Sequence, residues 1–148
     1  MTRDTSKASD EAQIRERIDT WAKALRAKNI DGVMSHYRPD ILTFDLAPPL
    51  QHAGQVYRQG LVEWFATFKG PIGIEMRDLS ITVGGDVAFT HSLNRISGAR
   101  TSGEHTDVWV RATVCFTKTT GKWMVAHEHV SVPFYMDGSE RAAVDLKP

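Results

Sequence analysis

Gly121-Lys122-Trp123-Met124-Val125-Ala126-His127-Glu128-His129-Val130-Ser131-Val132-Pro133 is an apolar strand with three titratable side chains set in its middle. An ion isolated in such a run costs several kcal/mol. Glu128 must therefore meet a cation such as Arg111 or have its pKa raised until the carboxyl is neutral. Alternation along a strand puts His127 and His129 on one face and Glu128 on the other, so all three line one pocket only if a local bulge intervenes. The His-x-His spacing also suits two imidazoles sharing a metal ion, but no third ligand is in place and no metal site is expected. A structural or interface role satisfies the two histidines equally well.

The turn Thr119-Thr120-Gly121 ties this strand to the one before it, Asp107 to Lys118. There Val108, Val110, Ala112, Val114 and Phe116 share one parity, and Asp107, Trp109, Arg111 and Thr113 the other. The polar set must face solvent or a wet cavity, and the central position of the strand favours the cavity. Further back, the Gly98 to Gly103 region leads from Val87–Ile96, with Phe89 and His91 on one face and Thr90, Ser92 and Asn94 on the other. Gly84-Gly85-Asp86 turns the chain out of Ile72–Val83. In that strand Ile74 and Met76 are even while Leu79, Ile81 and Val83 are odd, which predicts a bulge near Arg77-Asp78.

The N-terminal half has the helical period instead. Ile14, Ile18, Trp21 and Leu25 form a stripe, with Ser9 or Asp10 as its cap, and residues 1–9 read as a disordered polar tail. Asn29 to Tyr37 reads as a short second helix, stopped because Pro39 excludes helical geometry for Arg38. Ile41–Leu46 is a strand. Pro48 and Pro49 force an extended connection, and Tyr57, Leu61, Trp64, Phe65 and Phe68 make a third helical face ending at Gly70-Pro71. Three helices cannot cover both faces of this sheet. The predicted fold is α+β: a strongly curved antiparallel sheet wrapped around three N-terminal helices, a cone with a mouth and a pocket.

Composition bounds the rest. A chain of 148 residues, 41% hydrophobic and 24% charged, is the size and make-up of one folded domain. Lys plus Arg and Asp plus Glu each total 18, so no net field gathers nucleic acid or an anionic membrane, and neither is an expected partner. The one cysteine, Cys115, permits no internal disulfide and fits a cytoplasmic location. No nucleotide-cradling glycine loop, G-x-S-x-G or H-E-x-x-H pattern is present, and no cofactor is expected.

Taken together, Asp40-Ile41-Leu42-Thr43-Phe44-Asp45, Pro48-Pro49-Leu50, Gly84-Gly85-Asp86-Val87-Ala88, Trp109-Val110-Arg111-Ala112-Thr113 and the Gly121–Pro133 tail resemble the SnoaL-like, ketosteroid-isomerase-like group of the NTF2-like superfamily. The resemblance covers residues 10–135 and leaves 136–148 as a C-terminal extension. It implies the cone fold, and it places Asp45 where the isomerases carry their general-base Asp. The position of their oxyanion-hole tyrosine falls near Trp21, which has no hydroxyl, so steroid isomerisation itself is not implied. The tail is also similar to the association domain of the calmodulin-dependent kinases, and that register turns Glu128 and Val130 into the cavity and His127 and His129 away.

These readings give a pocket for a small, partly apolar organic molecule. Asp45, His91, Arg111 and Glu128 are its expected catalytic set, and Phe65, Phe89, Trp109, Met124 and Asp107 its expected ligand-binding set. Asp45 or His91 would move a proton while Arg111, paired with Glu128, steadies developing negative charge. An isomerase, cyclase or lyase is one expected function, and a non-catalytic binding or association module the other. A homodimer through the sheet, with Trp123 and Val125 on its convex face, is the expected assembly.

Overall fold

The computed structural model describes residues 3–148, with side chains from residue 6 onward. Helix α1 spans Arg3–Arg26. It begins before the expected Ser9 or Asp10 cap, so the backbone of the anticipated tail is helical from Arg3, while Met1 and Thr2 lie outside the described residues. The predicted stripe is the buried one: Ile14, Ile18 and Leu25 pack into the core and Trp21 lies half-buried beside them. Helix α2 is a short turn, Ile30–Met34, capped by Asn29, whose side chain accepts from the Gly32 N–H at 3.0 Å.

Strand β1, Tyr37–Phe44, starts where the sequence reading still had helix. The cause lies in Arg38-Pro39, since the residue before proline is pushed out of helical geometry and the strand conformation reaches back to Tyr37. Strand β2, His52–Ala53, was not anticipated; it pairs antiparallel with β1 and leads into helix α3, Gly54–Ala66, which buries Tyr57, Leu61 and Phe65. The long strands follow as β3 (Gly73–Gly84), β4 (Val87–Ala99), β5 (His105–Thr119) and β6 (Lys122–Ser131).

All six strands form one sheet in the order β2-β1-β6-β5-β4-β3. The four-strand meander is antiparallel as expected, but β1 lies parallel to β6, so the sheet is mixed. The β1–β6 register slips between Tyr37 and Leu42, the stretch holding Pro39, which has no N–H to give a ladder. The bulge expected near Arg77-Asp78 is present, with the β3–β4 register shifting between Arg77 and Ser80 and Asp78 at φ 58°. It turns both Met76 and Leu79 to the inner face.

A second irregularity decides the site. Along β6, Cys115 pairs with His127 while Phe116 pairs with Val125, so Ala126 is an extra residue. Before it Trp123 and Val125 face the helices; after it Glu128 does. Trp123 is therefore not on the convex face: it is 1% exposed in the core, with its indole N–H donating to Asp10 Oδ1 at 3.2 Å. Residues 133–143 fold back on themselves, Tyr135 and Ala143 donating to the Arg141 and Pro133 carbonyls at 2.8 Å each.

Candidate functional site

Helix α1 crosses the concave face of the sheet and encloses a cavity of about 480 Å³, its open mouth included. Ile18, Trp21, Met76, Leu79, Val114, Phe116 and Val125 make most of its wall apolar. Thr90, Ser92 and Asn94 of β4 add a polar stripe, with Ser92 donating to the Asn94 amide oxygen at 2.7 Å. Arg17 and His36 stand in the wall as well, and Glu128 faces in from β6. A largely apolar cavity with a few convergent polar groups is the usual form of a small-molecule site.

Glu128 is 7% exposed and has an ordered set of neighbours. Tyr37 donates its O–H to Glu128 Oε2 at 2.9 Å and accepts the Trp21 indole N–H at 2.8 Å. Tyr57 Oη lies 3.3 Å from Tyr37 Oη. A phenol has one proton to give, so with Tyr37 committed to Glu128 the Tyr57 hydroxyl must be the donor of that pair. The Trp21 and Tyr57 donors thus converge on the Tyr37 oxygen, whose own proton goes to the carboxyl. Burial pushes the Glu128 pKa up to about 7; the Tyr37 hydrogen bond opposes this, and the negative charge of Asp45 adds to it. The same burial, together with the Glu128 charge, raises Tyr37 and Tyr57 well above the ordinary phenol range.

On its other side Glu128 meets a smaller void of about 160 Å³, shared with Thr43, Phe44, Asp45, Tyr57 and Val130. Asp45 lines this smaller void and not the main cavity; it is exposed, and its Oδ1 accepts the Leu46 N–H at 2.7 Å. Removing its charge in Asp45→Asn is expected to lower the Glu128 pKa, because the neighbouring anion is part of what holds that carboxyl protonated. Carboxyl-carbon NMR titration measures the shift, and an unmoved midpoint would show that the two groups are not coupled.

Several expected pocket residues lie elsewhere. Thr90, Ser92 and Asn94 line the cavity, so their strand neighbours Phe89 and His91 point out of the opposite face. Likewise Ala112 and Val114 face in, leaving Asp107, Trp109 and Arg111 outside. The reading of β5 had the two parities right and the polar one assigned to the wrong side. Arg111 donates from Nε to Ser131 Oγ at 3.2 Å, and no pairing with Glu128 forms across the sheet. Asp107 instead holds Arg95 through both carboxylate oxygens, at 2.8 and 2.7 Å. Phe65 is core, packed beside Trp64, and Met124 lies outside the cavity wall, its sulfur accepting from Arg17 Nη2 at 3.4 Å.

His127 and His129 face outward, edge-on to Phe44 with ring centroids 4.7 and 5.3 Å apart, and His127 Nδ1 donates to the Leu42 carbonyl at 2.6 Å. No group of three metal-ligating side chains exists among the described residues. The residues the sequence reading missed are Arg17, His36, Tyr37 and Tyr57, hidden as parts of helices or their faces. The Arg38-Pro39 pair was the available signal that Tyr37 belonged to a strand.

Comparisons with known proteins agree with this fold. A family model for the SnoaL-like domain matches residues 14–135. An NTF2-like protein of unknown function from Pseudomonas putida KT2440 is similar at 34% identity over 95% of this chain and 98% of that one, with a TM-score of 0.86. A protein from Novosphingobium aromaticivorans named as a candidate scytalone dehydratase shares the fold at 15% identity, covering 94% of both chains with a TM-score of 0.79. The association domain of C. elegans CaMKII does so at 17% identity, over 87% of this chain and 99% of that one, with a TM-score of 0.67. No curated protein matches. The match over residues 14–135 and the curved sheet closed by its helices place this chain in the SnoaL-like domain family of the NTF2-like superfamily.

Proposed function

We propose that the cavity binds a small, partly apolar organic molecule and that Glu128 exchanges a proton with it, the chemistry of an isomerase, cyclase or lyase. One observation carries this: a carboxyl buried in the wall of an apolar cavity, fixed by the Tyr37 hydroxyl at 2.9 Å and with no cationic partner among its hydrogen bonds to the described residues, so that burial raises its pKa toward neutrality. Such a group is protonated and deprotonated in comparable amounts at neutral pH, which is what a proton donor and acceptor needs. Asp45 joins the site at the smaller void, which gives Glu128 a route to exchange its proton with solvent. The neighbour named as a candidate dehydratase is in keeping with lyase chemistry. A compound screen for turnover, run on the native protein and on Glu128→Gln, tests the proposal. Turnover that survives in Glu128→Gln removes Glu128 from the chemistry, and binding without turnover leaves a ligand-binding module.

The assembly proposed with it is a cytoplasmic homodimer through the convex face. The chain's one cysteine fits a reducing compartment. No helix among the described residues is long and apolar enough to cross a membrane. Trp123 and Val125 no longer argue for the dimer, but Phe89 is 46% exposed on that face, alongside Trp109 and Phe44 with its two histidines. Light scattering at micromolar concentration is expected to give twice the 16.5 kDa of one chain, and a monomer mass would dispose of the dimer.

A further inference from the structure

Arg17 and His36 stand together in the cavity wall, and the proton chemistry assigned to Glu128 uses neither. Both rest on Ser35: Arg17 Nη2 donates to the Ser35 carbonyl at 3.4 Å, and His36 Nδ1 lies 3.4 Å from the Ser35 hydroxyl. The guanidinium is aimed by carbonyls rather than by an acid, its Nε donating to the Trp123 carbonyl at 3.1 Å. Among the described residues Arg17 has no carboxylate partner. Its Nη1 donors are left for something else.

His36 is the complementary case. It is 3% exposed, and its Nδ1 lies 2.9 Å from the Gly32 carbonyl oxygen, which fixes the proton on Nδ1 because a carbonyl only accepts. Nε2 is then a bare lone pair, and it is buried without a partner. A buried acceptor left unmade is costly, so a site that holds one is built to receive a donor. The same wall, with both residues resting on Ser35, offers one cationic donor without an acid partner and one buried neutral acceptor without a donor.

A single hydroxyl oxygen satisfies both, accepting from Arg17 and donating its own proton to His36 Nε2. A carboxylate does not, because its lone pairs would face the histidine's lone pair. Protonating His36 to relieve that clash is opposed by its burial and by Arg17, which both lower its pKa. Resting on the ligand-binding reading of the cavity, the geometry points to a ligand that presents an acidic hydroxyl, a phenol or an enol, to Arg17 and His36 while its apolar body lies toward Glu128. The pair then sets which end of the molecule reaches the carboxyl.

Calorimetric titration of the full chain with 4-propylphenol, 4-propylanisole and 4-propylbenzoate tests this. The phenol is expected to bind about 10–100-fold tighter than the anisole, which keeps the oxygen and lacks the proton, and tighter than the benzoate. Arg17→Met and His36→Phe are each expected to bring the phenol-to-anisole ratio near one, with His36→Gln, which restores an acceptor close to Nε2, recovering part of it. Equal binding of phenol and anisole by the native protein overturns the hydroxyl assignment while leaving the cavity a binding site. Tightest binding of the benzoate overturns it in favour of an anion. Failure of all three to bind at millimolar concentration overturns the ligand-binding reading itself. The native-protein comparison decides the matter even if a variant fails to fold.

Discussion

Under the proposed proton-exchange role, Glu128→Gln is expected to lower turnover about 10²–10⁴-fold and, at the same time, to make the protein more stable above neutral pH. The two effects have one origin. A carboxyl whose ordinary pKa of 4.5 is raised to about 7 keeps a proton in the folded chain that the unfolded chain has already released. Native protein therefore binds more protons than unfolded protein between those values, and stability falls as pH rises through that window. At about 1.4 kcal/mol per pKa unit the loss is on the order of 3 kcal/mol, complete above pH 7 and absent below 4.5. The ionisable groups around the carboxyl are Tyr37, Tyr57 and Asp45, with Arg17 and His36 in the same cavity wall. Glu128→Gln leaves all of these residues in place, and Tyr37 and Tyr57 are raised well above the range from pH 4 to 8, so the difference between native and variant stability over that range reports Glu128 together with its coupling to Asp45. Urea unfolding of both proteins from pH 4 to 8 measures it. Parallel curves across the whole range would falsify the raised pKa and, with it, the proton-exchange role.

The second large effect lies at the other end of the same strand. Trp123 is the largest fully buried side chain, in contact with the helix stripe on one side and hydrogen-bonded to Asp10 on the other. Trp123→Ala is expected to cost about 3–5 kcal/mol, from lost burial and the cavity left behind. That is a large share of a typical domain's total of about 5–15 kcal/mol. Trp123→Phe keeps most of the apolar volume and is expected to cost less. Asp10 meanwhile retains Lys118, whose Nζ lies 3.1 Å from Oδ1. Urea midpoints for the two variants give the comparison. A cost for Trp123→Ala below about 1 kcal/mol would place the indole on the surface and undo the assignment of faces along β6.

Much of the fold was legible because its elements carry uninterrupted periods. The Ile14-Ile18-Trp21-Leu25 stripe, the parity change at Arg77-Asp78 and the glycine turn at Gly84-Gly85 each state a local geometry that tertiary packing left intact. The site was harder to read for a specific reason. Alternation says which residues share a face and does not say which face is inside. In β5 the apolar set was rightly sent to the core, yet Arg111 and Asp107 were given a cavity that the same core already occupied. In β4 the residues with stronger chemistry, Phe89 and His91, drew the assignment, whereas Thr90, Ser92 and Asn94 line the wall. Tyr37 was lost because the second helix was carried one residue into the strand: Arg38-Pro39 marks locally where helical geometry ends, while the parallel pairing with β6 that aims Tyr37 at Glu128 is long-range. Glu128 was found because burial of an acid in an apolar run is a cost visible in the sequence itself.

The extra residue at Ala126 couples these two halves of β6 in a way that reaches into how such a cavity evolves. With it, one strand gives its indole to the core and its carboxyl to the pocket. Were Ala126 drawn into the ladder instead of bulging, the strand's period of two would carry on unbroken, and holding Trp123 in place would send His127 and His129 inward and Glu128 out. Deleting Ala126 outright would leave Trp123, Val125 and Glu128 together on the inner face of a regular strand, so it is the bulge that lets the extra residue be carried without exchanging the acid for a pair of imidazoles. Pocket chemistry on this scaffold is thus set by where a strand bulges as well as by which residue stands at a position.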